Sequence, residues 1–471
     1  MHIPAGLLSS LTAIVGAANA LTAPADTLPY VTEWRNLWHG TTPLVLRPRS
    51  TAEVSAILKI AHAENLPIIA QSGNTGLVGA QVPDESGREI ILSLTRMNAI
   101  RAIDAEGYTL TAEAGVTLRT VQETAENHDR LFPLSLASEG SCMVGGNLST
   151  NAGGINVLAY GNARDMVLGL EVVMADGRIW NGLRALRKDN TGYDLKQLFI
   201  GGEGTLGVIT AAVLKLWPRP REKATAFIGL QSPAHALTLF QSLKSACGPG
   251  LTAYELLPRL AIDFLLRNYS KYRDPLANRH AWYVLMDMSG ATAGGATRAA
   301  LESELAAALE AGTVDDVVIA QNLEQQRTFW AMREDLSETQ KPEGGSIKHD
   351  VSVPIARIPE LIARGDAAAE QRMPGIRPLP FGHFGDGNLH YNMSQPVGMD
   401  KTAFLARTPE ISKIVYDLVL ELGGSISAEH GIGRLKREQL REVKSPLELE
   451  MMRAIKTAFD PKGILAPGRI L

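Results

Sequence analysis

Three glycine-rich clusters in the first half of this chain constrain its fold more than any other feature. The first, Ser72-Gly73-Asn74-Thr75-Gly76-Leu77-Val78-Gly79, follows Pro67-Ile68-Ile69-Ala70, an apolar run that reads as a buried strand. The second runs from Gly145-Gly146-Asn147 to Ala152-Gly153-Gly154, and the third, Gly201-Gly202-Glu203-Gly204-Thr205-Leu206-Gly207, follows Leu198-Phe199-Ile200. Glycine takes positive φ and lets the backbone approach a ligand closely. A strand running into such a loop can therefore present several N–H groups to an anion, with Asn74 and Thr75 adding side-chain donors. None of the three has the Rossmann or Walker spacing. One cluster alone reads as a structural turn. Three of them ahead of Trp217 favour a long dinucleotide lying across the domain that holds them.

Around these loops the first half alternates strand and helix. Leu44 to Pro48 reads as a strand and Thr51 to Asn65 as a helix capped by Ser50 or Thr51. Further strands are expected at Ile90 to Leu94 and Tyr108 to Ala114, and a helix at Val116 to Asn127. Glu171 to Trp180 reads as a hairpin with a type I′ turn at Asp176-Gly177. Trp217-Pro218-Arg219-Pro220-Arg221 is expected to break regular structure and mark a domain boundary. Beyond it come strand-like Ala226 to Leu230, a helix from Ala234 to Ala246 and a strand from Tyr283 to Met288. A helix from Thr297 to Ala311, a strand from Asp316 to Ala320, a polar helix from Leu323 and a strand from Ile347 to Val353 follow. This is an α+β pattern with long helices on a sheet, without internal repeats. The expected division is 1–220, 221–425 and a closing segment, 426–471.

The 471 residues allow two or three domains with full cores. A net charge of −4 without a basic run argues against a nucleic-acid or anionic-membrane role. Two cysteines make no disulfide framework and point to a reducing compartment, read as cytoplasmic. The apolar stretch Leu7 to Ala20 has no Lys or Arg ahead of it. Leu8, Leu11, Ile14 and Val15 suit a short helix packed on the domain behind it. No run approaches the roughly 20 apolar residues that span a bilayer.

Chemistry concentrates in Pro380-Phe381-Gly382-His383-Phe384-Gly385-Asp386-Gly387-Asn388-Leu389-His390-Tyr391-Asn392 and, further on, Ala428-Glu429-His430-Gly431. Gly385-Asp386-Gly387 has tight-turn composition. On the strand that follows, Asn388, His390 and Asn392 share one face, and the turn can return His383 beside His390. Two imidazoles and a carboxylate with an open fourth position make a catalytic zinc-type site, unless the segment is only a glycine-rich loop with incidental polar groups. In Phe329 to Ser337, Arg333 and Ser337 lie at i and i+4 on one helical face. Lys348 lies on a strand-like run. These cations suit an anionic substrate, although Arg333 could instead pair with Glu334 or Asp335, and His349 is read as structural.

The order of these motifs resembles the vanillyl-alcohol oxidase and p-cresol methylhydroxylase class of flavoproteins. The likeness runs from an FAD-binding domain through an FAD-linked oxidase C-terminal domain to the closing Asp460 to Gly468. The class implies an FAD-binding domain plus an α+β substrate (cap) domain with a mainly antiparallel sheet. Within it the chain is most similar to the D-2-hydroxyglutarate dehydrogenase family, with D-lactate dehydrogenase and the glycolate oxidase flavin subunit as relatives. The resemblance implies non-covalent FAD, its pyrophosphate cradled by Gly73 to Gly79 and its adenosine and flavin bordered by Gly145 to Gly154 and Gly202 to Ile209. FAD contacts carry onto Pro48, Ser72, Gly73, Asn74, Thr75, Gly76, Leu77, Gly79 and Ala80. They carry equally onto Ser138, Gly140, Ser141, Gly145, Gly146, Asn147, Thr150, Asn151, Gly153 and Gly154. Glu203, Gly204, Gly207, Val208, Ile209 and Asn388 complete the set. The chain departs from the family pattern at Gln71, Ala159 and Ala466, each removing a polar contact to FAD.

The same resemblance makes His383, His390 and Glu429 ligands of a divalent metal, zinc being the leading candidate. It makes His430 the general base, with a fourth metal ligand or a helix cap as its alternatives. Arg333, Ser337, Lys348 and Asn392 become substrate-binding residues. Two cations beside a metal exceed what a monocarboxylate needs, which favours a dicarboxylate. The expected reaction is oxidation of a D-2-hydroxy acid, D-2-hydroxyglutarate to 2-oxoglutarate first, with D-lactate or glycolate as the alternative. From another class, the His-His-Glu set could serve a metallohydrolase. The expected partners are the small 2-hydroxy acid and an electron acceptor, either an electron-transfer flavoprotein or a quinone-linked carrier, in a chain that could pair as a homodimer.

Overall fold

The computed structural model describes residues 3–471, so the first two residues of the expected N-terminal domain lie outside the described residues. The chain divides into two compact units. The first collects the chain up to Gly153, then Asn162–Arg219 and Glu429–Leu471, and the second takes Gly154–Gly161 and Pro220–Ala428. Nothing in the sequence marks the eight-residue excursion 154–161 into the second unit.

The first unit holds a four-stranded sheet in the order Ala20–Leu21, Val45–Leu46, Ile90–Ser93, Ile68–Gln71, its last three strands parallel. The helix Thr51–Glu64 carries the chain from Val45–Leu46 to Ile68–Gln71, and its N-terminus is capped as expected by Ser50 Oγ, 3.2 Å from the Glu53 N–H. The N-terminal helix Ala5–Val15 packs Leu11 and Val15 against Leu44, Leu46 and Ile57, as its apolar spacing predicts. A five-stranded antiparallel sheet follows, ordered Ile100–Asp104, Thr109–Glu113, Val208–Lys215, Val167–Val173, Ile179–Gly182.

Two local expectations need correction. The hairpin forms, with Val173 opposite Ile179, but its turn is not type I′. That turn requires positive φ at both central residues, and only Gly177 has it (φ 84°). The Gly177 N–H closes a turn onto Met174 O, and the Met174 N–H returns to Arg178 O, which is a longer loop with glycine in the left-handed position. Trp217-Pro218 does not break regular structure; it pairs antiparallel with Arg130–Leu131. Proline fits there because an edge position needs no inward N–H.

The second unit is built on an antiparallel sheet ordered Leu251–Pro258, Trp282–Gly290, Glu222–Leu230, Asp316–Ile319. Side chains of alternate parity enter separate cores. Ala226, Ile228, Tyr254, Leu256 and Val284 face one, and Phe227, Leu257, Tyr283 and Leu285 the other. Both faces are covered by helices, including Pro233–Cys247 and Ala296–Glu310 on the first and Leu323–Thr339 on the second. A smaller antiparallel sheet joins Ser346–Ile347, Arg377–Phe381, Asn388–Ser394 and Val351–Ser352. The expected strand Ile347 to Val353 is thus two short pieces, separated by Lys348, His349 and Asp350. The fold class is α+β, with mainly antiparallel sheets.

Candidate active site

In the second unit the expected glycine turn forms. Phe384–Asp386 makes a short 3-10 turn, and Gly387 takes φ 91°, a conformation that favours glycine. The strand Asn388–Ser394 then runs back against Arg377–Phe381, placing Phe381 opposite His390. The rings of His383 and His390 come to 5.6 Å between centroids. Asp350 and His390 also offer ligand atoms within 4.8 Å of one another, and Asp350 further accepts from Asn388 Nδ2 at 3.0 Å. His390 with Asp350 is the beginning of a donor set that fits a zinc-type cation, whereas His383, an expected ligand, lies beside His390 but outside that group of ligand atoms.

His383 has a partner that sequence reasoning missed. Leu256 and Gly382 exchange backbone hydrogen bonds of 2.9 and 3.0 Å between their strands. That bridge brings the neighbouring side chain of Glu255 to His383, with Oε1 at 2.6 Å from Nδ1. The other oxygen accepts from Arg333 Nε, also at 2.6 Å. Glu255 is wholly buried, and burial alone would push its carboxyl up. The Arg333 guanidinium and the His383 imidazole outweigh that and hold it down to about 2. Arg333 additionally lies over the Phe381 ring at 5.0 Å. The signal was present in the sequence as one carboxylate inside the apolar run Leu251 to Leu257, because a buried charge in a strand needs a partner. Arg333 therefore pairs with Glu255, and neither of its helical neighbours Glu334 or Asp335 takes that place.

The remaining predicted substrate residues are partly committed within the protein. Lys348 Nζ donates to Ser337 O at 2.9 Å, joining the two residues the sequence had grouped. The Asn392 amide accepts the His349 N–H at 3.2 Å and donates to Gln340 Oε1 at 2.9 Å. His349 is structural as expected: it bonds Tyr391 O at 2.7 Å and Ser412 Oγ at 3.0 Å.

In the first unit the three glycine clusters differ in what they offer. Among the described residues, no backbone N–H from Ser72 to Gln81 donates to a protein acceptor. Asn74 Oδ1, Gln81 Oε1 and Trp38 Nε1 are also buried there without a partner among the described residues. A Cβ on Gly79 would lie 2.9 Å from the Trp38 ring. A run of half-buried donors of this kind fits the anionic pyrophosphate of FAD. Gln71, which stands where the family has Arg, turns inward and donates to Tyr30 O at 2.9 Å and Gln81 O at 2.8 Å, closing the base of the loop. The second and third clusters are tied to each other instead. The N–H groups of Gly201 and Glu203 donate to Leu148 O and Ser149 O at 3.0 and 2.8 Å.

Glu203 carries a further load. Its carboxylate accepts the N–H groups of Ile432 and Gly433 at 2.7 and 2.8 Å, anchoring the turn that follows His430. Burial pushes its carboxyl up to about 7, against the pull of those two donors and of Lys436. Glu429 and His430 hold ligand atoms within 4.8 Å of one another, and a Cβ on Gly153 would lie 2.9 Å from Glu429 Oε1. Ala466, where the family has Asn, is buried at φ 44° and donates its N–H to Ile68 O.

Family models match both parts of the chain: "FAD binding domain" over residues 42–182 and "FAD linked oxidases, C-terminal domain" over residues 219–470. The chain is 38% identical over 464 residues to the mitochondrial D-2-hydroxyglutarate dehydrogenase of Bos taurus, covering 98% of this chain and 83% of that protein. It is 38% identical over 442 residues to the mitochondrial D-2-hydroxyglutarate dehydrogenase of Arabidopsis thaliana, covering 93% and 77%. The crystal structure of p-cresol methylhydroxylase with substrate bound shares the fold, with a TM-score of 0.79 at 17% identity, covering 99% of this chain and 96% of that one. The relatives overturn one expectation, that of a cytoplasmic protein, since both are named as mitochondrial. The two free cysteines carry no address within the cell. With FAD domains matched in both halves, the metallohydrolase alternative has no support, and the chain belongs to the FAD-linked oxidase family that includes the D-2-hydroxyglutarate dehydrogenases.

Proposed function

We propose that this chain oxidises a D-2-hydroxy acid to the 2-oxo acid, with D-2-hydroxyglutarate as its leading substrate. The observation that carries this reading is the 38% identity extending over 98% of the chain to a D-2-hydroxyglutarate dehydrogenase. When bound, FAD would supply the acceptor for the hydride at C2, and a divalent metal would supply polarisation of the substrate's oxygens. His383, His390 and Glu429 are its proposed ligands, zinc the first metal to test. The pair of imidazoles 5.6 Å apart supports that assignment. His430 accepts the hydroxyl proton at a ring nitrogen. Arg333 and Lys348 hold carboxylates, and Ser337 and Asn392 complete the substrate's polar surroundings. The loop from Ser72 to Gln81 offers its N–H groups to the FAD pyrophosphate.

Anaerobic stopped-flow of the flavin absorbance tests this, because it isolates reduction by substrate from the unidentified electron acceptor. D-2-hydroxyglutarate should bleach the flavin with a kcat/KM roughly 10- to 150-fold above that of D-lactate, which lacks a second carboxylate worth about 1.5–3 kcal/mol. His430→Ala should slow bleaching by roughly 10²–10⁴ while keeping FAD and metal. A flavin left oxidised by every D-2-hydroxy acid would sink the reading.

A further inference from the structure

Glu255 bonds to one residue of each kind that the proposed reaction needs, a proposed metal ligand and a proposed substrate-binding cation. We infer that Glu255 is a positioning residue which fixes the proposed metal-binding imidazole of His383 and the proposed substrate-binding guanidinium of Arg333 with one carboxylate. The inference rests on the reading of the site given above and adds a residue to it.

The geometry carries it. Each carboxylate oxygen has one partner at 2.6 Å, His383 Nδ1 on one side and Arg333 Nε on the other. An ionised carboxylate accepts only, so the ring nitrogen facing it bears the hydrogen, and a neutral imidazole then has its lone pair at Nε2. A metal-binding histidine is commonly held this way by a second group that sets its tautomer and orientation. Arg333 donates through Nε, which leaves the planar end of its guanidinium aligned by the same contact. All three side chains are buried, so solvent does not replace either bond if the carboxylate is lost. The support is rigid at its root: Glu255 lies in a strand buried at every position, bridged by backbone bonds to the residue before His383. Gly382 makes the bridge at φ 140°, where a side chain would be strained.

Glu255→Gln gives the sharpest test. The amide keeps the shape and one oxygen, so it serves Arg333 or His383 but not both. Its NH2 turned toward His383 favours hydrogen at Nε2, the wrong nitrogen for a ligand. The FAD-loaded full chain is titrated with zinc in competition with a chromophoric chelator. Glu255→Gln should weaken zinc binding 10- to 100-fold, with flavin absorbance near that of the parent and a melting temperature lowered by the uncompensated Arg333 charge. Glu255→Asp, which keeps the charge on a shorter arm, should recover part of that loss. It also supplies the readout should the glutamine variant fail to fold. KM for D-2-hydroxyglutarate should rise in both variants through Arg333. If the parent binds zinc and both variants bind it equally well with unchanged KM, the inference is overturned alone. If the parent binds no divalent metal, the reading of the site falls and takes this inference with it.

Discussion

Arg333 and Glu255 illustrate how a buried charge constrains its neighbours. Arg333 is 6% exposed and Glu255 fully buried, so each removes the other's uncompensated charge from an apolar surrounding. Replacing such a pair by apolar groups is often tolerated, whereas removing one member strands the other. Arg333→Met should therefore cost about 3–5 kcal/mol of unfolding free energy, and the Arg333→Met, Glu255→Met double variant should recover most of it. Urea unfolding of the four proteins closes the cycle. A single variant within about 1 kcal/mol of the parent would show the charge is relieved by water. Arg333 was singled out in the sequence by its i, i+4 spacing with Ser337 and by the family resemblance, which implies that it binds substrate. Its ion pair was not, since the partner lies far away in sequence. Residue type reveals that a charge needs a partner, and only strand pairing reveals which.

Elements with local signals were legible. The helices Thr51–Glu64 and Leu118–Asn127 begin beside side chains that cap them, Ser50 and Thr117, and the turn at Gly387 follows from glycine alone. The strand Leu251–Pro258 was not read, because it is buried on both faces and shows no alternation. The glycine clusters looked alike in sequence but are not equivalent: one keeps its N–H donors open, and the other two are tied together by backbone bonds. Glu203, at the third cluster, supports the turn after His430, and its charge state makes that support depend on pH. Its carboxyl is raised from 4.5 to about 7 in the fold. Between those values the folded chain keeps a proton that the unfolded chain releases, so stability falls as pH rises through that window and levels off above it. The loss amounts to about 3 kcal/mol. Glu203→Gln cannot titrate and removes that slope. Unfolding free energies of the parent and Glu203→Gln at pH 5 and pH 8 should differ by an amount that moves about 3 kcal/mol in the variant's favour. Parallel pH profiles would mean that Glu203 is ionised throughout.

For the whole molecule, composition excluded more than it identified. Charge and cysteine content set aside nucleic acid and a disulfide scaffold, and among the described residues no helix is long and apolar enough to cross a membrane. Location in the cell was misread, because no composition distinguishes one reducing compartment from another. The family was legible because the dinucleotide fixes loop chemistry at several places in one chain. That dependence has a thermodynamic consequence. Among the described residues the N–H groups from Ser72 to Gln81 find no protein acceptor, which leaves them to water or a ligand. A ligand that fills the loop in the folded chain and not in the unfolded one stabilises the fold by mass action. Above its dissociation constant, each tenfold rise in free FAD should add about 1.4 kcal/mol to the unfolding free energy of the flavin-stripped protein. Lumiflavin, which has the ring system but no phosphate, should add little over the same range. Denaturant unfolding across a series of FAD concentrations reads the slope directly. A flat response to FAD would remove the open loop from the binding site. An equal response to lumiflavin would move the binding energy from the pyrophosphate to the ring.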